Sequence, residues 1–194
     1  MKESTLLDYL ATNQNATLRY YASDMVLKVD SDAAYLIAPN AKSRIAGFYY
    51  LGNLPSNKVK LVNGAIMVEC RYLKHVVASA AEAETGGLFH NYQNTIYLRK
   101  LLSILGHKQI PTPLKTDNST AASFVNDMIK QKRSKSWDIR FHWIREQQLQ
   151  NNIKVYWDKG TNNYANFFTK HHAPAHHKRM RPIYLHVNNI IQNC

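Results

Sequence analysis

VDSDAAYL, residues 29–36, carries an aspartate, Asp32, at the end of an apolar run that predicts a β-strand. Two further apolar runs carry acids in comparable places. Glu84 lies one turn into a predicted helix, and Asp117 ends the strand that this helix leads to. Ligands of open α/β sheets bind at the carboxyl ends of the strands, so we expect the three acids to converge there. Uncompensated carboxylates rarely converge without a cation. The pattern therefore predicts a site for two divalent metal ions, of the kind that cleaves phosphodiester bonds.

The composition indicates one globular domain with an anionic partner. The chain has 194 residues, of which 45% are hydrophobic and 20% charged, and its net charge is +12 with a pI of about 9.7. This basic surplus, interleaved with aromatic residues, favours nucleic acid over a membrane as the partner. No run of 18 apolar residues and no signal-peptide pattern occur, so we expect no membrane span. Since Cys70 and Cys194 are the two cysteines, a reducing, cytoplasmic setting is expected.

Hydrophobic periodicity predicts an α/β fold. Three strands come first, and helices then alternate with two more strands, which predicts a mixed five-stranded sheet flanked by helices. The first three strands are expected to be antiparallel, with Asn63-Gly64 as a hairpin dipeptide, and the later strands to be parallel. The predicted strands are residues 25–30, 44–51, 61–73, 111–116 and 153–157. The predicted helices begin at Ser79, with Gly106 as the stop, and near residues 119, 137 and 163.

Four motifs occur in an order that is typical of one protein family. SDAAYLIAPNAKSRIAGF at residues 31–48 is similar to a Ser-Asp-Ala-Asp-Trp segment followed by spaced Pro and Gly. SAAEAET at residues 79–85 resembles Ser-Ser-Thr-Glu-Ala-Glu-Tyr, and DNSTA at residues 117–121 matches Asp-Asn-x-x-Ala. KSWDIRFH at residues 135–142 resembles Lys-His-Ile-Asp-x-Arg-x-His. Over residues 23–172 the chain thus resembles the ribonuclease H domain of Ty1/copia-type retrotransposon polyproteins, which implies a ribonuclease H-like fold.

The resemblance implies a metal-dependent endonuclease that hydrolyses the RNA strand of RNA–DNA hybrids during reverse transcription. Asp32 would bridge two Mg²⁺ ions, for which Mn²⁺ can substitute, and Glu84 and Asp117 would each bind one of them. The implied partners are the hybrid and the upstream reverse-transcriptase or connection region of the same polyprotein, in a cytoplasmic virus-like particle. Residues 1–22 would be the tail of that upstream segment, and residues 173–194 a basic, His-rich C-terminal tail.

One position departs from the family pattern. The family closes its site with Ala-Asp-x-x-Thr-Lys, whereas this chain has ANFFTK at residues 165–170, so Asn166 replaces the fourth acid. An amide oxygen still ligates a metal, but the negative charge is absent, and we expect one of the two metal sites to be weaker. A decayed genomic copy and a deliberate substitution both explain the asparagine. The alternative function is a catalytically inactive domain of the same fold that binds nucleic acid or packs against a polymerase.

Two groups of residues are predicted to contact nucleic acid. Asn118 and Ser119, next to Asp117, are candidates for contacting the 2′-hydroxyl groups of the RNA strand. A basic run predicts a ridge that binds phosphates, although a solvated linker explains it equally well. This run consists of Lys130, Lys132, Arg133, Lys135 and Arg140. The histidine-rich HHAPAHH at residues 171–177 matches no zinc-ligand spacing and is interpreted as the segment in which the chain leaves the domain.

Overall fold

A computed structural model describes residues 3–56, 63–128 and 139–187 of the chain. The strands within these ranges are β1 Ala16–Thr17, β2 Val26–Ala38, β3 Lys42–Gly52, β4 Ala65–Tyr72, β5 Thr112–Thr116, β6 Ile153–Trp157 and β7 His186–Val187. The helices are α1 Glu3–Thr12, α2 Ala80–Ile104, α3 Ser119–Val125, α4 Ile139–Leu149, α5 Asn166–Thr169 and α6 Pro174–Tyr184, with a 3₁₀ turn at Gly160–Asn162. Within the described residues, no helix has the length and apolar character needed to cross a membrane.

The main sheet has five strands in the order β4-β3-β2-β5-β6. β2, β3 and β4 are antiparallel neighbours, whereas β5 is parallel to both β2 and β6. Helices connect the parallel strands, as crossover connections require. The predicted α/β fold with a mixed five-stranded sheet is therefore confirmed.

The connection between β3 and β4 differs from the prediction. β3 ends at Gly52 and β4 begins at Ala65, so Asn63 and Gly64 do not form a two-residue hairpin turn. The Asn63 side chain instead accepts a hydrogen bond from the Tyr21 backbone N–H (2.6 Å) and donates one to the Leu51 carbonyl (2.8 Å). The asparagine thus fastens the segment before β2 to the end of β3, and its sequence signature was misassigned to a local turn.

The position of Asp32 also differs from the prediction, because β2 continues eight residues beyond Asp30, to Ala38. Asp32 lies inside the antiparallel pairing with β3, opposite Ala46. On its other side, however, the parallel pairing with β5 consists of two pairs, Val29 with Leu114 and Asp30 with Lys115. β5 ends one residue further on, at Thr116, and β2 then continues with β3 as its one partner in the described sheet. Asp32 is therefore paired with β3 on one side, whereas on the side of β5 it lies just beyond the last paired residues, where the sheet is open.

The long helix α2 has the predicted ends. Ser79 is the N-cap, and its hydroxyl accepts the Glu82 backbone N–H (3.1 Å), while the Glu82 carboxylate accepts the Ala78 N–H (2.7 Å). The Ser79 hydroxyl thus satisfies an N–H group of the first helical turn, and the Glu82 carboxylate satisfies the N–H of Ala78, just before the helix. At the other end Gly106 has φ +91°, a conformation that side chains disfavour, and it reverses the chain after Ile104.

The sheet buries apolar residues on both faces because successive side chains of a strand point in opposite directions. On β3, Tyr49 belongs to the core beneath the helices, whereas Phe48 belongs to the opposite face. The first core joins the sheet to α2, α3 and α4; its fully buried members include Leu27, Val29, Leu88, Leu114, Phe141, Ile144 and Ile153. The second core contains Ala46, Phe48, Tyr50 and Ala165, packed against Ala65, Tyr164, Phe168 and Tyr184.

The segment predicted as a C-terminal tail contains α6, which contributes to the second core. The Tyr184 ring packs edge-on against Phe48, 5.6 Å between centroids, and its hydroxyl donates to the Tyr164 carbonyl (2.8 Å). After α6, β7 pairs with β1, which joins residues 186–187 to residues 16–17. The predicted boundaries at residues 22 and 172 stay predictions.

Candidate active site

Three carboxylates meet at the open edge between β2 and β5. β2 carries Asp32, the N-terminal part of α2 carries Glu84, and Asp117 directly follows β5. Each offers one oxygen, and these three oxygens lie within 4.8 Å of one another. The register explains part of this arrangement: Asp30 pairs with Lys115, and Asp32 and Asp117 each lie two residues further along the chain. The expected convergence of the three acids is thus present in the structure.

Two of the three carboxylates are buried and held by hydrogen bonds. Asp32 is 1% exposed and Glu84 4% exposed. The two Glu84 oxygens accept the Ala33 backbone N–H (3.0 Å) and the Thr116 hydroxyl (3.2 Å), and Asp32 accepts the hydroxyl of Thr169. Burial and bonding leave these side chains little freedom to rotate, so the oxygens are preorganised toward one point.

The carboxylates repel one another. Burial, followed by repulsion from Asp32 and Asp117, raises the pKa of Glu84 well above its ordinary value. Burial also raises the pKa of Asp32, although its bond from Thr169 and the charge of Lys170 act in the opposite direction. A divalent cation removes this repulsion, and hard oxygen donors are the ligands that Mg²⁺ prefers. By donor chemistry and spacing, the three acids fit such an ion.

Asn166, which begins α5, lies beside this cluster. The position of Gly160 shows its closeness: a Cβ atom on Gly160 would lie 2.6 Å from Asp117 Oδ2 and 3.6 Å from Asn166 Nδ2. The Asn166 amide donates to the Gly160 carbonyl (3.3 Å), and its oxygen accepts the ammonium group of Lys170. Asn166 therefore lies near Asp117, and its oxygen is bound to a cationic side chain.

Comparison with known proteins identifies the fold. No protein-family model matches the chain. The solved structure of LC11-RNase H1, isolated from compost, superimposes with a TM-score of 0.54 at 10% identity, covering 75% of this chain and 96% of that one. The same enzyme in complex with an RNA/DNA hybrid gives a TM-score of 0.52 at 11% identity, covering 73% and 92%. The chain has the ribonuclease H fold.

A curated relative supports the predicted resemblance to retrotransposon polyproteins. The retrovirus-related Pol polyprotein from transposon TNT 1-94 of Nicotiana tabacum is 28% identical over 165 residues, which is 85% of this chain. This relative is of the Ty1/copia type, so the resemblance is confirmed. The chain spans 12% of the relative's length, and the match therefore concerns one domain of a much longer protein.

A buried ion pair between Lys115 of β5 and Asp30 of β2 lies two residues before Asp117 and Asp32 along the chain. Lys115 donates to Asp30 Oδ2 (2.9 Å) and to the Asn162 carbonyl (2.8 Å), while Asp30 Oδ2 also accepts the Tyr164 N–H (2.9 Å). The neighbouring Asn163 donates to the Ser31 carbonyl (2.8 Å). These bonds fix the segment between β6 and α5 against the sheet. Because Asn166 follows this segment directly, they also help to position Asn166.

Sequence reasoning missed four contributors to the site. Gly160 leaves room for the Asp117 carboxylate, and Thr116 and Thr169 orient the buried acids. Lys115 neutralises Asp30. Thr169 was visible within the quoted ANFFTK motif. The others carry no local signal, because their roles depend on which strands become neighbours.

The predicted nucleic-acid contacts stay predictions, and the structure gives the positions of three of the residues concerned. Asn118 caps α3, since its side-chain oxygen accepts the Ala121 N–H (2.9 Å), and Ser119 is exposed in the first turn of that helix. Both lie beside Asp117, as expected. Arg140 lies in the first turn of α4. The remaining members of the basic run, Lys130, Lys132, Arg133 and Lys135, lie outside the described residues.

Asp158 does not join the cluster of three acids, although it follows the last strand of the sheet. Its Oδ1 accepts the Lys159 backbone N–H (2.7 Å) and the side-chain amide of Asn162 (3.1 Å), so this oxygen bonds within the segment that follows β6. Because Asp158 is not one of the acids that lie within 4.8 Å of one another, this arrangement does not support it as a replacement for the fourth acid.

Proposed function

We propose that this chain is a metal-dependent endonuclease that hydrolyses the RNA strand of RNA–DNA hybrids during reverse transcription. The observation that carries the proposal is the convergence of Asp32, Glu84 and Asp117 within 4.8 Å on a ribonuclease H fold. The net charge of +12 supports a polyanionic substrate, because phosphates attract the excess of lysine and arginine.

Each residue of the site has a definite task in this proposal. Bound Mg²⁺, or Mn²⁺ in its place, supplies an activated water and stabilises the leaving oxygen when two ions are held. Asp32, Glu84 and Asp117 hold the ions, and Asn166 is a weak fourth ligand. For Asn166 to ligate, its oxygen must first release the ammonium group of Lys170. This competition, added to the missing charge, weakens one of the two ion sites.

The wider setting of the domain belongs to the same proposal. The chain corresponds to 12% of its polyprotein relative, so we assign it the upstream reverse-transcriptase or connection region as a partner. Residues 1–22 are then the tail of that upstream segment, residues 23–172 the nuclease domain, and residues 173–194 a basic C-terminal extension. A cytoplasmic virus-like particle is the compartment that fits such a polyprotein.

The test is cleavage of a labelled RNA–DNA hybrid in Mg²⁺ or Mn²⁺ by the chain and by the Asn166→Asp variant. Restoring the fourth carboxylate should raise both the cleavage rate and the affinity for the second ion, the latter measured by calorimetry. Asp117→Asn is the matched control, since it makes the opposite change next to Asn166. Absence of cleavage by both the chain and Asn166→Asp would refute the enzymatic proposal for the isolated chain.

A second candidate function is an inactive domain that binds nucleic acid or packs against a polymerase. The bond between Lys170 and Asn166 favours it, because a cation of the protein already occupies the amide oxygen that a metal needs. Binding of hybrid without cleavage by either variant supports the nucleic-acid binder. Failure to bind hybrid at low salt supports the packing domain.

A further inference from the structure

A basic groove lies between α5 and α6, next to the acidic cluster. Its volume is about 390 Å³, within the range of about 300–1,000 Å³ that is typical of ligand sites. One end is formed by Asn166 and Lys170, which border the acids. The opposite wall belongs to the segment that the sequence analysis treated as a tail, and it contains His172, His176 and Arg179.

The wall of the groove is ordered by aromatic stacking. The rings of His172 and His176 are stacked, with centroids 4.2 Å apart, and His172 also stacks on Phe167 at 5.1 Å. Since a carbonyl oxygen only accepts, His172 donates its Nε2–H to Phe167 O (3.0 Å). Since a guanidinium only donates, Arg179 donates to His176 Nδ1 (2.9 Å), which leaves the ring proton of His176 on Nε2.

The charges of this groove are unbalanced. Lys170 and Arg179 are cationic side chains, and the ion pairs found among residues 3–56, 63–128 and 139–187 do not include either of them, although the charge of Lys170 also acts on Asp32. The groove also lies at the N-terminal end of α6, where the helix dipole is positive and cations are disfavoured. Partial burial and the charges of His172, Arg179 and His177 lower the pKa of His176. Cations gathered around a positive helix end are stabilised by a bound anion.

Continuity with the acidic cluster identifies the anion. The groove and the proposed metal site share Asn166, so a strand whose scissile phosphate lies at Asp32 and Asp117 extends directly past Lys170. We propose that the α5–α6 groove binds a backbone phosphate of the strand that is cleaved, beside the scissile one. This inference rests on the proposed function and assigns a substrate contact to α6, a helix outside the motifs that defined the nuclease domain.

The test compares two neighbouring cations of α6. Arg179 lines the groove, whereas Lys178 is exposed on the same helix and does not line it. Arg179→Gln and Lys178→Gln remove the same charge from almost the same place. Affinity for a fluorescent RNA–DNA hybrid is measured across a salt series, without divalent metal so that cleavage is absent. Arg179→Gln should weaken binding about tenfold and reduce the slope against salt concentration by about one phosphate contact. Lys178→Gln should change each by much less.

The possible results separate this inference from the function on which it rests. Equal effects of the two substitutions would overturn the groove assignment while leaving hybrid binding intact. Failure of the unmodified chain to bind hybrid would overturn both. A nuclear magnetic resonance titration of the histidine ring signals separates the two sources of phosphate. Shifts of His172 and His176 with hybrid support a strand phosphate, and shifts with inorganic phosphate alone would overturn it.

Discussion

The acidic cluster and the α5–α6 region border the same site but are built differently. Asp32 and Glu84 are on long elements, are almost fully buried, and receive hydrogen bonds from the backbone or from threonine hydroxyls. Asn166, by contrast, begins a four-residue helix, is only partly buried, and shares its oxygen with Lys170. The difference shows that the three acids are positioned by the sheet and α2, whereas Asn166, the proposed fourth ligand, depends on a short segment that is bonded to β2.

The largest effect is expected from removing Lys115, the cation that bonds the segment before α5 to Asp30 of β2. Lys115→Met leaves Asp30 buried without its partner and removes the bond to the Asn162 carbonyl. We expect a loss of about 3–5 kcal/mol in the free energy of unfolding, because an uncompensated buried charge is expensive. Urea denaturation without metal measures it. The double variant Asp30→Asn/Lys115→Met should recover much of the loss, and a double variant no more stable than Lys115→Met would contradict the explanation.

The next largest effect concerns the rigid half of the site. Asp32→Asn keeps the shape of the side chain but removes a charge that faces Glu84 and Asp117. Substitutions outside the ligand shell typically reduce metal affinity about 10–100-fold, so loss of a ligand charge should reduce Mn²⁺ affinity by more than about 100-fold. Calorimetry measures the affinity. A similar affinity in Asp32→Asn and the unmodified chain would place the metal elsewhere.

A smaller effect is expected where the two regions touch. Gly160→Ala puts a Cβ atom 2.6 Å from Asp117 Oδ2, so either the carboxylate or the segment before α5 must move. Overpacking of this kind typically costs about 1–3 kcal/mol, and metal affinity should fall with it. Thermal unfolding and calorimetry follow the two quantities. Gly86→Ala in α2 is the control, since its nearest neighbour would be an ordinary 3.5 Å away, and it should be tolerated.

The smallest effect tests whether Lys170 competes with the metal. Lys170→Gln removes a positive charge that acts on Asp32 and binds Asn166. Metal affinity should therefore rise a few-fold, consistent with about 1 kcal/mol or less for a partly exposed pair. Lys154→Gln, an equivalent exposed change on β6, should leave the affinity unchanged. A fall in affinity for Lys170→Gln would instead mean that the lysine positions the ligands.

The sequence predicted the part of the site that is encoded in local patterns. Asp32, Glu84 and Asp117 follow recognisable apolar runs, and Ser79 and Gly106 are typical helix ends. Their elements could therefore be assigned, and their convergence followed from the general behaviour of α/β sheets. The catalytic role of these acids and of Asn166 stays a prediction.

The rest depended on contacts between distant segments. The ion pair of Asp30 with Lys115 joins residues 85 positions apart, and nothing in either stretch specifies their pairing. Helix α6 was missed because its histidines and arginines suggested an exposed tail, whereas Tyr184 anchors it in the second core. The length of β2 was underestimated because its continuation pairs with β3 alone.

If the proposed metal binds, the two-pair register between β2 and β5 would give it a role in selecting the native fold. A shift of one residue in that pairing would turn Asp117 to the opposite face of the sheet from Asp32, because side chains alternate along a strand. Such a chain would keep its strands and most of its hydrogen bonds but could not assemble the ligands. An ion that binds only the correct alignment stabilises that alignment over its neighbours. A bound metal would thus favour the correct register of β2 and β5 during folding.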